Sequence, residues 1–269
     1  MSKGTMERRS LLQFRNGHPA EAEDWIVVEE PLEIRLQGES IAVIMRTPGQ
    51  DLELAAGFAF TEGIIRSAED LGALRQCRTE GSDGFNVVEM QLAAGGAFDR
   101  GKLFRSLVTS AACGLCGAAS LQALATHATP VSSPVRIRRD ILATLPDQLT
   151  EAQAGFGRTG ALHAAGLFDR EGRLRVCRED VGRHNAVDKV LGRTLLDGAQ
   201  GHDAILMVSG RTSFEILQKA AVAGVPIVAA ISGPTTLAIE AARAFNITLV
   251  NFLRGRNMNV ASCPERLVL

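Results

Sequence analysis

Between residues 204 and 252 three short apolar runs alternate with two helical ones: AILMVSG, RTSFEILQKAAVAG, VPIVAAISG, PTTLAIEAARAFN and ITLVNF. Strand, helix, strand, helix, strand at this spacing dictates parallel strands joined by right-handed crossovers. Few other stretches of the chain exclude so many folds. The three strand ends then fall on one edge of the sheet, the edge at which such sheets bind ligands.

The flanking sequence fits around this unit. Gly160–Phe168 and Arg173–Cys177 are two apolar runs about Asp169-Arg170-Glu171-Gly172, which predicts a hairpin. Asp180–Leu196 reads as a helix. The first half mixes strands in Trp25–Pro48, with a turn at Gln37–Ser40, a helix from Asp51 to about Gly63, and a strand in FNVVEMQL. Phe98–Val108 reads as a helix or loop and Ala118–Thr126 as a helix. Residues 1–24 are polar and are expected to be frayed. The prolines and serines of THATPVSSPVRIRR mark a linker or exposed crossing. The expected organisation is a mixed α+β N-terminal domain over 1–135 and an α/β domain over 136–269.

Lys and Arg number 29 and Asp and Glu 30, so no global basic field argues for nucleic acid or a membrane surface. The start lacks the apolar core of a secretory signal, and no run reaches the roughly 18–20 apolar residues of a membrane helix. The expectation is a cytoplasmic protein. Five scattered cysteines in 269 residues do not make a disulfide framework.

Two of the parallel strands end in Ser-Gly and pass straight into a helix, through Ser209-Gly210-Arg211 and Ser232-Gly233-Pro234-Thr235. The third ends at Phe252-Leu253-Arg254-Gly255-Arg256-Asn257. Glycines for close approach, hydroxyls, helix N-termini and arginines together suit a phosphate-bearing ligand. The plainer reading is that the hydroxyls only cap helices. EDVGRHNAVDK is dense in polar groups for a helix start. His184 is a candidate proton carrier near pH 7, or the segment is a capping and salt-bridge cluster in which Asp180 caps the helix. His163, inside LHAAGLF, reads as a hydrogen-bonded core residue, and Cys77, Cys177 and Cys263 as small, partly buried ones.

SAACGLCGAASL holds the close pair Cys113 and Cys116. A zinc site needs four ligands, and no second close pair or H-x₃₋₅-H exists, so no structural metal is expected. A deaminase zinc motif also fails, because His163 is followed by Ala164-Ala165 without a glutamate. Cys113 precedes a helix-forming run that would stabilise its thiolate, but the surroundings are not a thioredoxin unit. A reactive thiolate with a second thiol in reach suits accepting and passing on a group. Two structural cysteines remain the alternative.

DLELAAGFAFTEGII, CGLCG, TGALHAAGLF, EDVGRHNAVDKVLG, the run GRTSFEILQKAAVAGVPIVAAISGPTTLAIEAARAFNITLVNFLRGRNMNVAS and the closing PERL, in that order, resemble the formate dehydrogenase accessory sulfurtransferase family (FdhD). The resemblance implies a homodimer whose C-terminal half is a cytidine-deaminase-like three-layer domain with a mixed, largely parallel sheet and no deaminase zinc. It implies a sulfurtransferase that takes persulfide sulfur from a cysteine desulfurase on Cys113, with Cys116 as its partner. The sulfur passes to the bis-molybdopterin guanine dinucleotide cofactor, with Mo or W, of formate dehydrogenase. Phe252–Asn257 falls on the family's cofactor-binding segment. Ala112 stands where many members have Gly, and Ala261 where many have an aromatic. Two other readings remain: a cofactor carrier without sulfur chemistry, and a thiol–disulfide redox protein.

Overall fold

The computed structural model describes residues 4–78, 85–94, 128–199 and 201–268. The chain begins with an antiparallel hairpin of β1 (Met6–Arg15) and β2 (His18–Val27). This corrects the frayed start expected of residues 1–24. Asn16 and Gly17 take positive φ of 53° and 81°, the two-residue turn whose twist matches paired strands. The polar composition of the segment reflects strands wetted along most of their length, not a missing structure.

A second hairpin, β3 (Glu30–Leu36) and β4 (Glu39–Arg46), turns at Gln37-Gly38 as its sequence predicts. With β5 (Leu71–Cys77) and β6 (Val87–Leu92) it forms a four-stranded sheet of order β4-β3-β6-β5. Helix α1 (Asp51–Thr61) packs Leu54, Ala55 and Phe58 on Leu32, Ile34, Val88 and Met90 of this sheet. Eight of its eleven residues are buried, because its other side faces a second helix.

After β7 (Ile137–Arg138) come α2 (Arg139–Ala152) and the short α3 (Ala154–Thr159). The sequence reading placed no helix here. Leu142, Leu145 and Leu149 do recur at helical spacing and are fully buried, but Pro146 interrupts the pattern. The closing segment returns as β14 (Leu267–Val268), parallel to β7.

The larger sheet contains β8 (His163–Phe168), β9 (Leu174–Asp180), β10 (Ile205–Val208), β11 (Ile227–Ala230), β12 (Thr248–Arg254) and β13 (Asn257–Ser262), in the order β13-β12-β11-β10-β8-β9. β10, β11 and β12 are parallel, linked by α5 (Phe214–Val222) and α6 (Thr236–Ala244). The remaining neighbours are antiparallel. The fold is mixed α/β; within this sheet parallel pairing is confined to the centre, and β3–β6 of the smaller sheet are parallel as well. ITLVNF is the last of the parallel strands, and it runs on through a Gly255-Arg256 turn into the antiparallel β13.

Alternate residues of these strands divide between two cores. Leu167, Leu206, Val208, Val228 and Leu249 face α5, α6 and α4 (Arg183–Leu196). Phe168, Ile205, Met207, Ile227 and Val250 face α2. Three layers result. The two sheets meet through α1 and α4, which cross at Gly57 and Gly192. A Cβ on Gly57 would lie 1.9 Å from the Asp188 carbonyl oxygen, and one on Gly192 1.9 Å from that of Glu53. Backbone touches backbone there, which only glycine allows.

Candidate functional site

The segment densest in candidate residues, EDVGRHNAVDK, turns mostly inward. Asp180 ends β9 and the helix cap is Gly182, so Asp180 does not cap α4 as expected. Its carboxylate accepts from Gly182 N at 2.8 Å, Asn185 Nδ2 at 2.9 Å and Thr47 N at 3.2 Å. The fully buried Lys189 Nζ lies 2.7 Å from it and donates to the Thr47 carbonyl at 3.0 Å. The residue before Lys189 in the chain, Asp188, accepts from Lys219 Nζ at 2.9 Å on both oxygens and from Thr61 Oγ1 at 2.9 Å. Burial pushes the Asp188 carboxyl up, and the adjacent Lys219 ammonium opposes it. Two desolvated ion pairs with filled hydrogen bonds thus fasten α4 to the β4–α1 connection, to α1 and to α5. Such pairs set which surfaces meet more than they add stability.

The ends of β10, β11 and β12 do converge. Thr212 N donates to the Gly233 carbonyl at 3.2 Å, Thr235 N to the Thr212 carbonyl at 3.0 Å and Phe252 N to the Ser232 carbonyl at 3.2 Å. Buried Asn251 joins all three turns, donating from Nδ2 to Thr212 Oγ1 at 3.0 Å and to the Ser232 carbonyl at 3.3 Å. Its Oδ1 is buried and has no partner among the described residues. Phe252 takes φ 53°, an uncommon left-handed backbone for an aromatic residue. Its half-exposed ring lies over Gly233, where a Cβ would meet Phe252 Cζ at 2.7 Å. Leu253 is buried beneath, while Arg254, Gly255, Arg256 and Asn257 form the exposed tip of the β12–β13 hairpin. Arg211 is exposed beside it.

The hydroxyls of this edge divide. Ser209 Oγ accepts from Ala164 N at 2.9 Å, and Thr235 Oγ1 caps α6 through Ala238 N at 3.1 Å, so both oxygens are engaged within the fold. Ser213, at the cap position of α5, makes no side-chain cap bond; its Oγ lies 3.2 Å from His184 Nε2. Glu215 Oε2 is 3.8 Å from the same nitrogen. Burial, reinforced by Arg183, pushes the His184 imidazole down to about 4. It is therefore neutral at pH 7 and the Glu215 contact is not an ion pair there. It can exchange hydrogen bonds but is no acid at that pH. His163 is lowered too, by burial and then by Arg183 and Arg211. Arg183 Nε is buried and has no hydrogen-bond partner among the described residues.

The structure thus brings together His184, Ser209, Gly210, Arg211, Ser232, Gly233, Thr235 and Phe252–Asn257. Cys113, Cys116 and the expected elements Phe98–Val108 and Ala118–Thr126 lie outside the described residues. Sequence reasoning missed Asn251 and Glu215 at this edge; Ser213 and Arg183 lay inside the two segments it singled out, without a role of their own. Asn251 alone carried a signal, as the one amide in the apolar run ITLVNF. Burial pushes the thiol of Cys177 up to about 11, so it is inert at neutral pH. No described helix is long and apolar enough to cross a membrane.

A family model described as FdhD/NarQ matches residues 27–268. The sulfur carrier protein FdhD of Streptomyces avermitilis is 47% identical, over 98% of this chain and 96% of its own length. The protein of the same name from Mycolicibacterium paratuberculosis is 44% identical, over 97% of this chain and 98% of its own. A crystal structure from Desulfotalea psychrophila, described as that of a formate dehydrogenase accessory protein, aligns with TM-score 0.78 at 26% identity, covering 98% of this chain and 100% of that one.

Proposed function

This chain belongs to the FdhD/NarQ family, and on that premise we propose that it is a cytoplasmic sulfurtransferase serving formate dehydrogenase maturation. A cysteine desulfurase persulfide is attacked by the Cys113 thiolate. The donor S–S bond breaks, a Cys113 S–S bond forms and the donor thiolate leaves, with no net redox change. Cys116 then attacks the inner sulfur of Cys113. A Cys113–Cys116 disulfide forms, and the outer sulfur leaves as hydrosulfide, reduced by the two electrons the thiols give up. That hydrosulfide replaces an oxygen ligand, which leaves as water, on the metal of the substrate, the bis-molybdopterin guanine dinucleotide carrying Mo or W. An external thiol reductant reopens the disulfide. The protein acts as a homodimer.

One observation carries the placement of the substrate. Three strand ends are bonded to one another into a firm floor, while Arg211, Arg254 and Arg256 stay exposed above it. Cations held on a rigid base suit the phosphates of a dinucleotide. The half-exposed Phe252 ring offers an apolar face beside them. Because Ser209 and Thr235 are engaged, the arginines and backbone N–H groups carry more of the binding than the sequence suggests.

The test is to incubate the protein with a cysteine desulfurase and cysteine and weigh its peptides. The Cys113 peptide is expected to gain about 32 Da, lost on reduction. An internal Cys113–Cys116 disulfide without any persulfide would favour the redox reading. Formate dehydrogenase activity undiminished by Cys113→Ala would favour a carrier without sulfur chemistry.

A further inference from the structure

The three parallel strands stop pairing before their turns begin. The last ladder pairs are Val208 with Ala230 and Ala229 with Val250. Beyond them the sheet no longer sets where Arg211 and Phe252 stand. Three backbone bonds cross the gap, and two of them, at 3.2 Å, are longer than the usual distance of about 2.9–3.0 Å. Asn251 adds a side-chain tie. It stands one residue before Phe252. Its Nδ2 donates at 3.0 Å to Thr212 Oγ1, one residue after Arg211, and at 3.3 Å to the carbonyl of Ser232, one residue before Gly233. Asn251 and Thr212 are both fully buried, so water cannot take the place of either bond.

The tie adds little to stability. A buried acceptor without a partner costs at least as much as one buried hydrogen bond returns. Asn251 Oδ1 is such an acceptor among the described residues, so its cost offsets what the Nδ2 bonds contribute. What the amide supplies is spacing, because one planar group spans three strand ends. We propose that Asn251 is a positioning residue for the dinucleotide. It touches no substrate itself. Through Thr212 and the Ser232 carbonyl it fixes the turn that carries Arg211 relative to the strand end that carries Phe252. A cation and an aromatic face held at one spacing beforehand need not be ordered when the ligand arrives. The role rests on the reading of the strand-end edge as the substrate surface.

The experiment follows the full chain by calorimetric titration with guanosine diphosphate, by thermal melting without it and by amide hydrogen exchange. Asn251→Ala is expected to weaken nucleotide binding about tenfold while the melting temperature falls by no more than about 4 °C. Its amides at Thr212, Thr235 and Phe252 should exchange about tenfold faster, with Leu206 and Val228 inside the ladder unchanged. Thr212→Val keeps the shape, removes Oγ1 and weakens binding about threefold. The double variant should bind no worse than Asn251→Ala alone. Arg254→Ala, which removes a contact, weakens binding without altering exchange. Undiminished affinity in Asn251→Ala, unchanged exchange at the three amides, or a melting loss well beyond 4 °C would each overturn the proposal. If Asn251→Ala does not fold, undiminished affinity in Thr212→Val overturns it instead. A wild type that binds no guanosine diphosphate sinks the reading of the edge, and the exchange result then decides by itself whether Asn251 clasps the turns.

Discussion

The α1–α4 junction and the strand-end edge are both rich in polar side chains, yet they use them in opposite directions. At the junction Asp180, Asn185, Asp188, Lys189 and Lys219 are buried and spend their hydrogen bonds on one another and on nearby backbone. At the edge the backbone bonds to itself, and the charged side chains of Arg211, Arg254 and Arg256 stay exposed. Polar density alone therefore does not mark a binding site. What separates the two regions is whether the donors are already satisfied.

The sharpest way to break this contrast is Lys189→Met. It strands the Asp180 carboxylate with no water and no counter-charge, and is expected to cost about 3–5 kcal/mol in urea unfolding. A loss below about 1 kcal/mol would mean that the junction is wetter than its packing indicates.

His184 stands between the two regions, and its protonation offers a smaller test. Its folded-state value lies near 4, below the ordinary 6.5. The unfolded chain thus takes up the proton more readily than the native one. The stability His184 contributes is complete above about pH 6.5 and is lost as pH falls toward 4. Its side chain is 34% exposed, so the loss is expected to be on the order of 1–2 kcal/mol rather than the full value of the shift. Denaturant midpoints across that range should fall more steeply for wild type than for His184→Gln. Parallel slopes would place the ring in water.

The smallest expected change in stability is at Phe252→Gly. Glycine accepts φ 53° without strain while the ring's packing on Gly233 is lost, so stability should stay within about 1 kcal/mol. Affinity for a guanine nucleotide, measured by titration, should nevertheless drop. Unchanged affinity would remove Phe252 from the binding surface.

The strand–helix alternation was legible because periodicity and length leave one topology. The convergence of three strand ends followed from that topology without any side-chain detail. The β1–β2 hairpin was not legible because its residues face water and show no apolar alternation, although Asn16-Gly17 is a hairpin turn. α2 was hidden by Pro146. The inward turn of EDVGRHNAVDK escaped because its partners, Met45, Thr47, Thr61 and Lys219, are distant in sequence. Asn251 escaped for the same reason: its value lies in two turns that only the fold brings to it.

The Gly57–Gly192 contact has a mechanical consequence. Helix α4 rests on α1 at a point with no rotamers to rearrange, and it holds Arg183 and His184 out at its first turn. The helix is therefore a lever with a hard fulcrum. A methyl group inserted at position 192 could not be absorbed by repacking nearby side chains. It would wedge the helices apart and tilt α4, shifting His184 against Ser213 at the edge. Two glycines that touch no ligand thus set the aim of the residues that line the proposed site.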